Sequence, residues 1–250
     1  MTTPALWCDL RRYTTARVAL GRVGNGLPTA AHLAFQAAHA AARDAVHAAL
    51  DVDALVGAIA APDVRVVHSA CGDRATYLVR PDLGRRLTEA DRAALGAAPA
   101  SGRLALVVCD GLSATAVQRH APAVLAHLLP RLGTPGPIVV AEQGRVALGD
   151  DIGAALDAEA VAVLIGERPG LTTPDSLGIY LTWAPRIGRT DAERNCISNI
   201  HDAGLAPVAA AEKLLWLVGA MRRLGVTGVE LKDEQPAMAL SRTPIPMDGS

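Results

Sequence analysis

From residue 104 onward the chain alternates continuous apolar runs with stretches whose apolar positions recur at helical spacing. LALVVC (104–109), PIVVA (137–141), AVAVLI (160–165), LGIYLTW (177–183) and VTGVEL (226–231) read as strands, and residues 113–132, near 150–157 and near 208–224 read as helices. Unbroken apolar strands separated by helices are what a parallel sheet covered on both faces requires, because each strand is then buried on both sides. The pattern therefore predicts an α/β fold, with a Rossmann-like, doubly wound, mostly parallel sheet over residues 100–232. In such sheets ligands bind beyond the carboxyl ends of the strands. The loops to inspect are DGLS (110–113), EQGRV (142–146), GERPG (166–170) and RTDAERNCISNIH (189–201).

Residues 1–99 form a smaller, helix-led N-terminal segment whose independent folding the pattern leaves open. A helix is predicted over 29–50, with Pro28 where a first turn tolerates it. Phe35, Ala38, Ala42, Ala45 and Ala49 share one stripe, and His39, Arg43 and His47 form a second, solvated or partner-facing one. His39 and His47 stand two turns apart, too far to share one metal ion. RVVHS (65–69) and TYLV (76–79) read as short β pieces, and Thr88 with Asp91 three residues on opens a helix as an approximate capping box. From Asp233 to Ser250 periodicity is lost and three prolines occur, so this tail is expected to be mobile or draped on a partner.

Composition narrows the partner classes. There are 49 Ala and only seven aromatic residues, so the core has to be built from Ala, Val and Leu. With 24 basic residues against 25 acidic ones, no electrostatic drive toward nucleic acid or an anionic membrane is present. The apolar runs fall far short of the roughly 20 residues that span a bilayer. The N-terminus lacks the basic start and apolar stretch of a secretory signal, which points to the cytosol. Cys8, Cys71, Cys109 and Cys196 show no CxxC or zinc spacing and are expected as free thiols, with no metal site.

The motif searches argue against chemistry intrinsic to this chain. No GxGxxG follows a strand, and there is no GKS/T, no HExxH and no carboxylate pair forced together by spacing. Ser113, in DGLSAT at a strand-to-helix turn, superficially resembles the nucleophile of a nucleophile elbow but lacks the second glycine and suits an N-cap. Glu167 and Arg168 follow a strand directly, and Pro169-Gly170 suits the centre of a type II turn. A carboxylate there accepts hydrogen bonds from a ligand's amides or hydroxyls, or braces the loop through a Glu167–Arg168 pair. Val146 and Cys196 are each readable as core filling. NIHDAG (199–204) nearly matches a D-x-H-x-x-G pattern by which some cobalamin proteins ligate cobalt, but Asn199 stands in place of the carboxylate that orients such a histidine. His201 therefore reads as a structural or rim residue.

The segments LRRYTTARVALGRVGNGLPT (10–29), FQAAHAAARDAVH (35–47), YLVRPDLGRRL (77–87), VVCDGLSATAVQRHA (107–121), EQGRVALGDDIG (142–153), LIGERPGL (164–171) and APRIGRTDAERNCISNIH (184–201) closely resemble the small (light) subunit of ethanolamine ammonia-lyase, over residues about 7 to 232. The resemblance implies an adenosylcobalamin-dependent carbon–nitrogen lyase that converts ethanolamine to acetaldehyde and ammonia. It also implies a TIM-barrel large subunit that carries the substrate site, several large/small pairs in a hetero-oligomer, and a small subunit that is inactive alone. The family's cobalamin contacts map onto Val146 of GRV, Glu167 of GERPG and Cys196 of CISNIH, with no catalytic residue on this chain. Only nine residues precede Leu10, so delivery to a bacterial microcompartment by the chain's own targeting helix is not expected, while delivery through the large subunit stays open. The competing readings are a hydrolase using Ser113 and an interaction protein that binds no cofactor.

Overall fold

A computed structural model describes residues 5–14 and 16–235; the tail beyond residue 235 lies outside the described residues. The elements in chain order are α1 (Ala5–Arg11), α2 (Thr29–His47), α3 (Val52–Ile59), β1 (Val64–His68), α4 (Arg74–Val79), α5 (Glu89–Gly96), β2 (Leu104–Cys109), α6 (Ala114–Leu128), β3 (Ile138–Glu142), α7 (Leu148–Ala155), β4 (Ala160–Gly166), β5 (Leu177–Trp183), β6 (Arg194–Ile200) and α8 (Pro207–Leu224). Short polar side chains start several of these helices. Asp51, Asp73, Thr88 and Ser113 each accept a hydrogen bond from a first-turn N–H, satisfying donors that a helix start leaves orphaned. Gly225, at φ 68°, stops α8 in the left-handed conformation that glycine adopts without strain.

The six strands form one sheet in the order β1-β3-β2-β4-β5-β6. β1, β3, β2 and β4 run parallel, whereas β5 and β6 join antiparallel. The α/β layering matches expectation, and in place of the mostly parallel, doubly wound sheet expected the sheet is mixed, with two of its five strand pairings antiparallel. The chain from β4 to β5 is too short to carry a crossover helix, so β5 has to fold back beside β4. The strand at Val64–His68 belongs to the N-terminal segment yet pairs with β3, so that segment and the following residues share one sheet.

Alternation along the buried strands divides the core into two layers. Leu104, Leu106 and Val108 of β2, with Ile138 and Val140 of β3, pack with side chains of α3, α6 and α8 on one face. Ala105, Val107 and Cys109, with Val139 and Ala141, pack against α5 and α7 on the other. Every residue of β2 and β4 is buried, which is why these runs are apolar without a polar alternate.

Three local readings change. TYLV belongs to α4, because the Asp73 side chain accepts from Thr76 N at 2.7 Å and initiates a helical turn. The predicted strand at 226–231 is a 3-10 turn at Gly228–Glu230. Its polar groups are met by side chains instead of a ladder: Gly228 N donates to Asn195 Oδ1 at 2.8 Å and Trp183 N to Thr227 Oγ1 at 2.9 Å. The loop expected over 189–201 contains β6, whose pairing with β5 shifts register between Leu177 and Ile179. That bulge buries Ile197 and Ile200, three residues apart, and hides the period of two.

The antiparallel extension is tied to α7 by a buried ion pair. Arg194 donates to Asp150 at 2.7 and 3.0 Å, and both side chains are 2% exposed. Burial pushes the Asp150 carboxyl up to about 6, with Arg194 pulling the other way. The fold thus binds this proton more tightly than the unfolded chain. The corresponding stability is complete below the group's ordinary value of 3.8 and is lost as pH rises through about 6. Asp150→Asn is expected to flatten this part of the dependence, seen as a smaller fall in urea midpoint between about pH 4 and 7 than in the parent. Arg194→Ala, which leaves a buried carboxylate unpaired, is expected to cost about 3–5 kcal/mol in the same denaturation measured at neutral pH.

Candidate functional site

The carboxyl ends of β2, β3 and β4 lie side by side, and the loops that follow them meet there. Two glycines allow the approach. Gly111 (φ 55°) and Gly166 pack so closely that a Cβ on Gly111 would stand 2.3 Å from Gly166 O, and one on Gly166 would stand 2.1 Å from Ser113 O. Leu112 N donates to Gly166 O at 2.9 Å, fastening the 110–113 loop to the end of β4.

Beneath these loops is a stack of charge and aromatic surface. Tyr77, fully buried on α4, has two guanidinium groups over its ring, Arg74 at 4.7 Å and Arg145 at 4.2 Å from the centroid. Arg74 pairs with the buried Asp110 at 3.2 Å and donates to Gly111 O at 2.8 Å; Asp110 also accepts from Gly144 N at 3.1 Å. Burial raises the Asp110 carboxyl above its ordinary value and Arg74 opposes that shift. Arg145 donates to Tyr77 O at 3.0 Å. Sequence reasoning singled out neither arginine, Tyr77 nor Asp110; the available signal was an ionisable pair, Cys109-Asp110, ending a fully apolar run.

Above the stack is an open hollow of about 390 Å³, lined by Tyr77, Arg145, Val146, Ile165, Glu167 and Tyr180 among others. Val146 and Glu167, predicted from separate loops, are thus brought to one surface. Cys196 does not line the hollow but sits beside it: its Cα pairs with that of Tyr180 across β5 and β6. Glu167 is braced by neutral donors, Ser176 Oγ at 2.5 Å and Asn199 N at 3.4 Å. No guanidinium pairs with it among the described residues, so the Glu167–Arg168 bridge considered from sequence is not formed. The Pro169-Gly170 turn also differs from expectation. Gly170 does not take a positive φ, and its N–H reaches Thr173 O at 3.0 Å, so the chain closes later than a type II turn would.

None of the hydroxyl, thiol and imidazole groups considered from sequence is placed as an activated nucleophile. Ser113 is buried, caps α6 by accepting from Ala116 N at 3.3 Å, and donates its proton to Pro174 O at 2.9 Å. Cys196 is exposed at its surface, but partial desolvation raises its thiol, the neighbouring Tyr180 hydroxyl opposes the shift, and the Glu167 charge adds to it. Burial, reinforced by Cys196 and Glu167, likewise raises Tyr180. Both groups therefore stay protonated at neutral pH and serve as weak donors. His201 has no free ring nitrogen: Nδ1 accepts from Ala203 N at 3.3 Å and Nε2 lies 2.8 Å from Asn199 Oδ1. Asn199 itself sits at φ 64° beside Gly204, where a Cβ would meet Asn199 O at 2.3 Å. Among the described residues no group of three or more His, Cys, Asp and Glu is placed to hold a metal, and no helix is long and apolar enough to cross a membrane.

Fold and site together define an α/β protein with an open hollow at the strand carboxyl ends, where Glu167 presents a carboxylate without a cation partner among the described residues. The chain belongs to the family described as Ethanolamine ammonia-lyase light chain (EutC), which matches residues 4–232. It is 53% identical over 245 residues to the ethanolamine ammonia-lyase small subunit of Xanthomonas campestris pv. campestris (strain B100), covering 93% of this chain and 90% of that one. It is 55% identical over 238 residues to the small subunit of Azotobacter vinelandii, covering 91% and 88%, and 50% identical over 238 residues to that of Pseudomonas syringae pv. tomato, covering 91% and 83%.

The buried position of Ser113 generates a direct check. Ser113→Ala is expected to cost about 1 kcal/mol of stability, the usual worth of a cap, in a chemical denaturation. Hydrolysis of an activated ester should be the same for the variant and its parent; a loss specific to the variant would restore the nucleophile reading.

Proposed function

We propose that this chain is the small subunit of an adenosylcobalamin-dependent ethanolamine ammonia-lyase, helping to hold the cofactor at an interface with a TIM-barrel large subunit, in a hetero-oligomer of several large/small pairs. The observation that carries the reading is convergence. Val146 and Glu167, assigned to cobalamin by resemblance alone and drawn from two distant loops, line one hollow at the strand carboxyl ends, and Cys196, the third, is the cross-strand neighbour of Tyr180 in that lining. The Rossmann-like description belongs to the same reading, resting on the parallel β1-β3-β2-β4 core with helices on both faces.

The residues present fit a corrinoid's rim, which offers neutral carboxamides and a ribose. Glu167, held by Ser176 and Asn199 yet unpaired with a cation, accepts from amide N–H or hydroxyl donors. Val146 and Ile165 provide apolar wall, and Cys196 with Tyr180 provides a polarizable, protonated edge. When bound, the cofactor supplies radical chemistry through homolysis of its cobalt–carbon bond. This chain's residues position it and exclude water from one side. Since the hollow is open, a second protein surface has to cover the rest. The exposed apolar residues of the N-terminal arm, including Leu33 at 57% and Phe35 at 40%, suit burial against such a partner. We place the assembly in the cytosol, with a microcompartment reached through the large subunit as the second location.

The chain alone is expected not to deaminate ethanolamine, and addition of the large subunit should produce activity. Sustained turnover by a preparation that mass spectrometry shows to be free of large subunit would overturn the division of labour. In the assembled complex Glu167→Ala is expected to weaken cobalamin binding by about 1–3 kcal/mol, the cost of leaving buried donors without an acceptor, with a smaller effect from Cys196→Ser. Equilibrium dialysis measures both, and an unchanged affinity in a folded Glu167→Ala complex would return that residue to a loop-bracing role.

A further inference from the structure

The first turns of α6 grip the short stretch of chain that leads into β5. Ser113, the cap of that helix, donates to Pro174 O at 2.9 Å. About two turns on, Arg119 donates to the Asp175 carboxylate at 2.7 Å, and His120 Nε2 stands 3.4 Å from the same oxygen. Ser113 and His120 are buried, and Arg119 also pairs with Asp202 from the turn after β6. Pro174 and Asp175 are thereby fastened to a helix of the core.

The next residue is the one that holds Glu167. Ser176 Oγ donates to Glu167 Oε2 at 2.5 Å, and Ser176 O accepts from Glu167 N at 2.9 Å, so side chain and backbone of Glu167 are tied to one residue. Asn199 N is a second donor to Oε2, at 3.4 Å. Glu167 Oε1 accepts no hydrogen bond among the described residues. It lies instead over Gly178, where a Cβ would stand 2.9 Å from Oε1 and 3.3 Å from Glu167 Cγ. Gly178 does not take a positive φ, so its backbone does not call for glycine; a glycine inside a strand then marks a close approach. What approaches is the Glu167 side chain.

We infer that Ser176 and Gly178 are positioning residues that aim the Glu167 carboxylate. Ser176, with Asn199, occupies Oε2; Gly178 leaves room for the side chain to lie against β5; Oε1 is the oxygen left to accept from a ligand's amide or hydroxyl. Neither Ser176 nor Gly178 lines the hollow, so each acts through Glu167. The grip of Ser113, Arg119 and His120 on Pro174 and Asp175 fixes the support independently of any ligand, which lowers the entropy lost on binding. The inference rests on the reading of Glu167 as a cobalamin acceptor given above, and it gives the buried Ser113 hydroxyl a use beyond capping.

The test is a pair of double-mutant cycles on the complex co-purified with the large subunit, with cyanocobalamin affinity read by equilibrium dialysis. Ser176→Ala and Gly178→Ala are each expected to weaken binding about three-fold or more in the parent, and by less than about two-fold in the Glu167→Ala background, because residues that act through one carboxylate lose their effect once it is gone. A methyl on Gly178 meets first the end of a flexible side chain, so Gly178→Ala turns the carboxylate aside and leaves β5 in place. Ser176→Ala adds no atoms and keeps the test alive if Gly178→Ala disturbs folding or assembly. Equal weakening in both backgrounds, which a merely structural contribution to the sheet produces, overturns the positioning role and leaves the cobalamin reading intact. Unchanged affinity in both single variants, where Glu167→Ala alone weakens binding, has the same consequence. Unchanged affinity in Glu167→Ala itself overturns the acceptor role and this inference with it. Failure of the parent complex to bind cyanocobalamin overturns the cobalamin reading as a whole.

Discussion

The carboxyl edge of this sheet depends on how one buried carboxylate is satisfied. Asp110 ends a strand with no exposed residue, in surroundings that disfavour its charge. Its partners are what make the position tenable: Arg74 from the N-terminal segment and the backbone N–H of Gly144 after β3. Meeting those needs forces three distant stretches of chain together. Once Arg74 is committed to Asp110, Tyr77 three residues on is set beside it, and the Arg145 guanidinium also lies over its ring. The hollow is built on this arrangement.

The mixed sheet serves the same edge. A further parallel strand would start at the far end of the sheet and reach the ligand side only with its last residues. Running β5 antiparallel to β4 brings its first residues directly to the carboxyl end of β4, where Leu177 pairs with Gly166. β6 then returns in the opposite sense, and its register shift ends beside Asn199 and His201, whose mutual hydrogen bond holds the turn. Ser176 and Asn199 are thereby placed to hold Glu167. The departure from a parallel sheet is what supplies the supports of the acceptor.

Chemically the edge is restrained. Its hydroxyl and thiol groups stay protonated or are committed to backbone carbonyls, and its buried cations are largely answered in place. What is left over is directional: the Glu167 carboxylate without a cation partner among the described residues, the Arg145 guanidinium over Tyr77, and apolar wall. Such a surface suits orienting a ligand more than reacting with it, in keeping with the reading proposed above.

The sequence by itself determined the α/β layering and pointed to the loops where the candidate site lies. Continuous apolar runs at 104–109 and 160–165 cannot be stable unless covered on both faces, and that condition alone implies an α/β core with functional loops at its carboxyl edge. Ser113 was legible as a cap for a similarly local reason, since a hydroxyl before a helical run has orphaned N–H groups to satisfy. Resemblance nominated Val146, Glu167 and Cys196, but nothing in their spacing says that they meet. Tertiary structure alone decided that, along with the direction of β5, the strand hidden in 194–200 and the Arg74–Tyr77–Arg145 stack. The physical reason is range. Periodicity reports burial between neighbours in the chain, whereas a bulge, a strand reversal or a cation over a ring depends on partners dozens of residues away, whose effect appears only when the desolvation of Asp110 and Arg194 has to be met in space.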